Sequence, residues 1–286
     1  MSERLLDEGD RVTLGQKVGG IAFALGLLFA CISAPARADS FPDRLSGATG
    51  GIFRFPENLQ PKNEGNLFGE AWAKLSYELD RTDRAVTSLF ALGNFVADSR
   101  GFSYNNTAKI GLGLSHSIQV TDALNVTFSA RYDWFMERDT DIRRSGIRLA
   151  ADYYYYKRWE AGPGEKALRL PRIATVFKSY GTLAYPGSLE EGDDNIVLTL
   201  GGELSTDLDL PDADWILSPF ADFDFSWDKD RNGYNNKIVP GIGVKVRYPL
   251  EHGEIFAGIR LSADYRPITG SVETGPTVFL GWYKGF

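Results

Sequence analysis

Six stretches of this chain alternate between apolar and polar residues for 11 to 13 positions each, and that period of two is the strongest constraint on what it folds into. The runs cover 67–79, 124–136, 196–208, 217–227, 238–248 and 255–265. On one face lie residues such as Leu75, Phe128, Leu200, Phe223, Ile242 and Ile259, and none of its 39 positions is charged. Of the 36 intervening positions, 16 are charged. Successive side chains of a strand point to opposite faces, so each run is a strand with one oily side and one wet side. A helix would need apolar residues every three or four places instead.

Soluble β-sandwiches also alternate, but their strands are short, with turns every ~8–12 residues. These runs are longer and match the ~9–11 residues that a tilted strand needs to cross a bilayer. Weaker strands fill the gaps at 85–96, 107–120, 146–159 and 173–185, a last one spans 273–286, and a first one is placed at 51–56. The expected fold is all-β: a single-chain antiparallel transmembrane β-barrel of about twelve strands, with ten or fourteen still open. Tyr77, Trp134, Trp227, Tyr248, Tyr265 and Trp282 sit near run ends, where interfacial aromatics gather. Short connections alternate with longer polar ones, except that 160–172 breaks the pattern.

The first 38 residues stand apart. Val18 to Ile32 is almost wholly apolar, follows Lys17 and leads to Ala36-Arg37-Ala38, a small-x-small cleavage pattern. Residues 1–38 are therefore expected to be a cleaved signal peptide, 39–50 a short lead and 51–286 the barrel. The apolar run falls short of the ~20 residues of a helical span. Cys31, the single cysteine, follows Leu28-Phe29-Ala30, which leaves lipidation open. Without disulfides the mature chain must hold together otherwise, and closing a sheet on itself is one way. A net charge of −7 with no dense Lys/Arg cluster argues against nucleic acid as a partner.

The last strand alternates Val278, Leu280 and Trp282, and the chain ends on Phe286. This resembles the C-terminal strand of bacterial outer-membrane β-barrels, whose aromatic last residue is read by the barrel-assembly machinery. Lys284 departs from the apolar residue or tyrosine usual two places before the end. The resemblance covers 51–286 through generic motifs. The size is similar to that of twelve-stranded barrels, and there is a looser likeness to exopolysaccharide-secretion barrels. It implies a place in the outer membrane of a Gram-negative bacterium, contact with its lipid, and passage or export of small polar molecules or a polysaccharide, with no cofactor.

The wet faces then line a lumen. Its candidate selectivity residues are Glu70, Lys74, Arg131, Asp133, Glu203, Asp222, Asp224, Lys245, Arg247, Arg260 and Asp264, with Glu78, Glu137, Asp207, Asp228 and Arg266 on the same faces. Acids concentrate near 203 and 222, bases near 245 and 260. Two arrangements follow. Opposed acidic and basic walls would set a transverse field across an open bore; alternatively, Asp222 and Asp224 pair with Lys245 and Arg247 on the neighbouring strand and fill it. A structural or surface-interaction barrel and a membrane-embedded hydrolase are the rival functions, and a soluble exported β-protein is the outside alternative. Enzymatic activity is not expected: Ser115 and Ser117 flank His116 at adjacent positions and so face the other way, His252 lies in a turn, and the acid pairs Asp222/Asp224 and Asp193/Asp194 are the only hydrolytic candidates. Asp228, Asp230 and Asn232 with Gly233 match half of a calcium loop, but Val239 stands where its bidentate Glu belongs, so a surface turn is expected. Among Tyr153–Tyr156, two rings face lipid and two the lumen, as filling or as a stacking track for sugars.

Overall fold

The alternating runs become strands of one closed sheet. A computed structural model describes residues 44–286 apart from 58, 60–64, 103–104, 141, 161–171, 210–212 and 234. The expected signal peptide, Cys31 and the start of the lead lie outside the described residues, as does nearly all of the irregular 160–172 segment. The strands are β1 (Leu45–Phe55), β2 (Phe68–Arg81), β3 (Ala85–Asp98), β4 (Thr107–Gln119), β5 (Leu124–Glu137), β6 (Ile142–Glu160), β7 (Arg172–Tyr185), β8 (Val197–Asp209), β9 (Ile216–Asp228), β10 (Lys237–Leu250), β11 (Gly253–Arg266) and β12 (Ser271–Gly285). Each pairs antiparallel with its sequence neighbours, and β1 pairs with β12 to complete a twelve-stranded barrel. Closure leaves no unpaired edge, the condition for a sheet to cross hydrocarbon.

The oily face is outside. Ile147 and Ile242 are 65% and 62% exposed in mid-strand, and Ile110, Leu112, Phe128, Ile259, Leu261 and Val278 are exposed with them. An apolar belt encircling a closed barrel is far larger than the patches a soluble protein shows to water, and hydrocarbon is the solvent that suits it. Tyr77, Trp134, Trp227, Tyr248 and Tyr265 also stand on this outer surface. Trp282 shares this outward face but is buried on it, packed over Gly51 and tilted against Phe53 at a ring separation of 6.3 Å.

β1 begins at Leu45, earlier than the expected Gly51. Its outward positions Gly47, Thr49 and Gly51 are too small to read as an oily face, and two of them are covered by aromatic rings, Phe286 over Gly47 and Trp282 over Gly51. The terminal Phe286 thus closes the seam with its side chain and with two backbone bonds to Gly47 (2.9 and 3.0 Å).

The chain is also built twice. Phe55-Pro56 and Leu59 at the end of β1 correspond to Tyr185-Pro186 and Leu189 at the end of β7. Asn66 and Asn195 then make the same bonds: their carbonyls accept from Glu57 and Gly187 (2.9 and 2.8 Å), and their side-chain oxygens accept the amides of Arg100 and Asp230 (both 3.2 Å). In the next loop Asp98 and Asp228 each accept the amide of the residue four places on, and Asn106 and Asn236 each bond back to that residue's carbonyl (3.0 and 2.8 Å). Thr49 and Ser179 donate alike to Trp72 and Gly201 (2.9 and 3.1 Å). These correspondences match β1–β4 to β7–β10, and six strands apart in a ring of twelve is diametrically opposite.

Candidate functional site

On the side built by β6 to β11 the lumen gathers the charges of the wet faces into three groups. Nearest the turn-side end, where β1 begins and β12 ends, Asp207 of β8 is fully buried and accepts from Arg158 (2.8 Å), Arg247 (2.8 and 2.9 Å) and Ser218 (2.8 Å). Arg247 continues to Glu254 (2.7 Å), so one network ties β6, β8, β9, β10 and β11. Above it Glu203 is paired with Lys245, and Lys178 lies 3.9 Å from both Glu203 and Glu254. Higher still, Arg260 reaches Asp222 (2.9 Å) and Asp224 (3.3 Å).

These contacts correct the expected pairing. Asp222 and Asp224 bond not to Lys245 and Arg247 on the adjacent strand but to Arg260, two strands away. Lys245 and Arg247 instead reach back over β9 to Glu203 and Asp207. Small residues decide this: Gly241 lies between Asp222 and Arg260, where a Cβ would collide with both, and Ser218 lies beneath the Asp207–Arg247 contact. The acidic and basic walls expected to face each other are neighbours, β8–β9 beside β10–β11, and largely neutralise one another.

The opposite wall is arranged differently. Arg131 grips Asp133 through Nε (2.9 and 3.0 Å), with Arg148 3.9 Å away. Glu70 accepts from Asn94 (2.7 Å), Asp152 from Thr182 (2.6 Å), and Lys74 sits over the Phe90 ring at 4.7 Å. Lys109 faces this group from β4 with no ion pair among the described residues. Asp264 binds Arg266 (3.0 Å).

Free space remains inside. Tyr154, Tyr180 and Tyr283 point inward yet are 46%, 50% and 45% exposed, and the Asp224 side chain is 48% exposed. Tyr180 lies across Gly201, whose missing side chain lets the ring rest on the wall. Tyr153 and Tyr155 face outward, as the alternation requires.

Among the described residues, those suggested for the rival chemistries are not brought together. His116 faces outward and bonds Thr87 (2.9 Å), whereas Ser117 turns inward to Thr127 (2.8 Å). Asp193 is used by its own loop, accepting the amides of Ser188 and Asn195. Burial pushes its pKa up, but those two amides outweigh that and hold it below the ordinary carboxylate value. Asp228 accepts from the Asn232 amide and the Asn235 and Asn236 side chains (2.8, 2.6 and 3.0 Å), so protein donors occupy the suggested calcium ligand. Among the described residues, no cluster of three His, Cys, Asp or Glu is placed to hold a metal.

Reading the sequence missed Lys109, Arg148, Asp152, Arg158, Lys178, Tyr180, Lys237 and Glu254. Most lie on the weaker strands, whose outer faces include small or polar residues. Register with the clean strands would have found several: Arg148 stands opposite Arg131, and Lys178 opposite Glu203.

No family model matches this chain, and no curated protein does. Solved structures similar to it include the transport unit of the autotransporter AIDA-I from Escherichia coli, 12% identical over 93% of this chain and 98% of that one, with a TM-score of 0.43. The COG4313 outer membrane channel from Pseudomonas putida F1 is 11% identical over 88% and 99%, with a TM-score of 0.39. LpxR from Salmonella typhimurium is 10% identical over 82% and 99%, with a TM-score of 0.40. Likeness at this level assigns neither activity nor ligand.

Proposed function

We propose that this protein is a passive channel of the Gram-negative outer membrane whose lumen admits polar solutes, rather than an enzyme. The observation that carries the reading is the half-exposed state of Tyr154, Tyr180, Tyr283 and Asp224 on the inside of a closed barrel, which requires space beside them. The apolar belt supports membrane residence, and single-chain barrels with an even strand number are an outer-membrane architecture. Charged side chains lining the bore, such as Arg131, Asp133, Asp222 and Arg260, support passage of polar rather than apolar solutes.

The test is single-channel recording of the purified protein in a planar bilayer. Discrete, ohmic conductance steps are expected, and their absence overturns the reading. The Asp207 network favours a second reading, a barrel closed by side chains at its turn-side end, which gives no steps.

A further inference from the structure

The loop-side half of the lumen, lined at its rim by Glu57, Leu59 and Asn235, contains a cavity of about 370 Å³. We infer that this cavity is a binding site for small organic acids, taking a carboxylate or phosphate between Arg54 and Lys237 and the ligand's flat body against Tyr180. The inference rests on the reading of the lumen as a solute pathway and names the solutes it selects.

Three cations line the cavity, and they differ in what they already hold. Arg260 is committed to Asp222 and Asp224. Among the described residues, Arg54 and Lys237 have no side-chain hydrogen bond and no ion pair; Arg54 only overlies Phe68, 5.8 Å from its ring centre. Two carboxylates of the lining are engaged elsewhere, Asp264 by Arg266 and Asp224 by Arg260. The third, Glu57, takes a bond from Asn66 (2.9 Å). The lining therefore presents two cations bonded to no carboxylate and one carboxylate, Glu57, bonded to no cation, which leaves net positive charge facing the space. Tyr180 supplies the apolar side, its ring held flat by Gly201. Arg54, Lys237 and Tyr180 have as counterparts in the other half Ala184, Thr107 and Gly50, none of which offers a charge or ring, so the site belongs to one side of the lumen only.

The experiment adds glucuronate, glucose 6-phosphate or neutral glucose to the bilayer recording and measures block of the current. At least one acid is expected to bind at least about tenfold more tightly than glucose, the scale of one lost charge-assisted hydrogen bond. The acid that does so identifies carboxylate or phosphate as the preferred group. Lys237→Met and Arg54→Gln should each remove that preference, and Tyr180→Leu should weaken both acids. Equal binding of acids and glucose overturns the inference, as does a preference unchanged in Lys237→Met and Arg54→Gln. Calorimetry with the same probes on the detergent-solubilised full chain separates the two claims. Acid binding without conductance upholds the site and removes the channel, whereas conductance without acid preference does the reverse.

Discussion

The two halves of this barrel make matching bonds in two pairs of loops and line their interiors differently. Asn66 and Asn195, Asp98 and Asp228, and Asn106 and Asn236 make matching bonds at the loop end. Within the lumen, equivalent positions diverge: Lys74 against Glu203, Leu92 against Asp222, Asn94 against Asp224, Ser117 against Arg247. Loop bonds satisfy backbone groups and depend on one geometry, so the same asparagines serve wherever that geometry recurs. Lumen side chains meet water and each other, and many combinations satisfy them. The shared part of the repeat therefore sets shape, and the unshared part sets what the bore is like to a solute.

The largest expected break in that comparison is at the equivalent acids Asp207 and Glu78. Asp207→Asn should destabilise the barrel by about 3 kcal/mol, since it weakens two arginine contacts on a buried carboxylate. Glu78→Gln, which loosens only an exposed pair with Arg81, should leave stability unchanged. Urea unfolding in detergent, followed by tryptophan fluorescence, measures both. Equal effects would show that the network is not what ties the second half together.

Next come the paired asparagines. Asn66→Ala orphans the Arg100 amide and the Glu57 carboxylate, whereas Asn195→Ala orphans the Asp230 amide alone. The first should cost about 2 kcal/mol and the second about 1 kcal/mol. Thermal unfolding monitored by circular dichroism ranks them.

A smaller effect concerns backbone strain. Gly101 in the first half and Arg231 in the second both have positive φ, 70° and 59°. Only glycine adopts that conformation without steric cost. Arg231→Gly should raise stability by up to about 1 kcal/mol, and Gly101→Arg should lower it by about as much, read from the same melts.

The smallest effect is a local response to pH with opposite signs in the loops that follow β1 and β7. Burial pushes Glu57 up, despite the hydrogen bond from Asn66. Its contribution is present below the unfolded carboxylate pKa and is lost as pH rises through the raised folded value. Asp193 is depressed, so its contribution is present above the unfolded value and lost as pH falls through the folded one. Acidification from neutral pH should therefore protect the loop at Glu57 from hydrogen exchange and expose the loop at Asp193. Parallel behaviour of the two loops would refute the assignment.

Much of the fold was legible because hydrocarbon tolerates no exceptions. Every outward position of the six clean runs had to be uncharged, and a closed barrel of about twelve strands followed, with ten or fourteen left open until the structure showed twelve. β1 was shortened because its outward surface is made of Gly47, Thr49 and Gly51 covered by rings from β12, and no local pattern shows that. The lumen was half legible. Its acids and bases were identifiable by alternation, but their partners were not, because Arg260 and Lys245 each reach across an intervening strand where Gly241 and the residues of β9 leave room. The repeat was visible in Phe55-Pro56 with Tyr185-Pro186 and in two Asn-Asn pairs, but divergence of the lumen positions between them hid it.

The sequence by itself determined a sheet with one face for lipid and one for water, of a length to cross a bilayer, since a period of two sustained over 11 residues or more has no other inexpensive solution. Only the tertiary structure decided which charges neutralise one another and which remain free, leaving Arg54 and Lys237 facing a cavity. Ring closure brings together side chains from strands distant in sequence, and the small residues between them, rather than the charges themselves, select the partners.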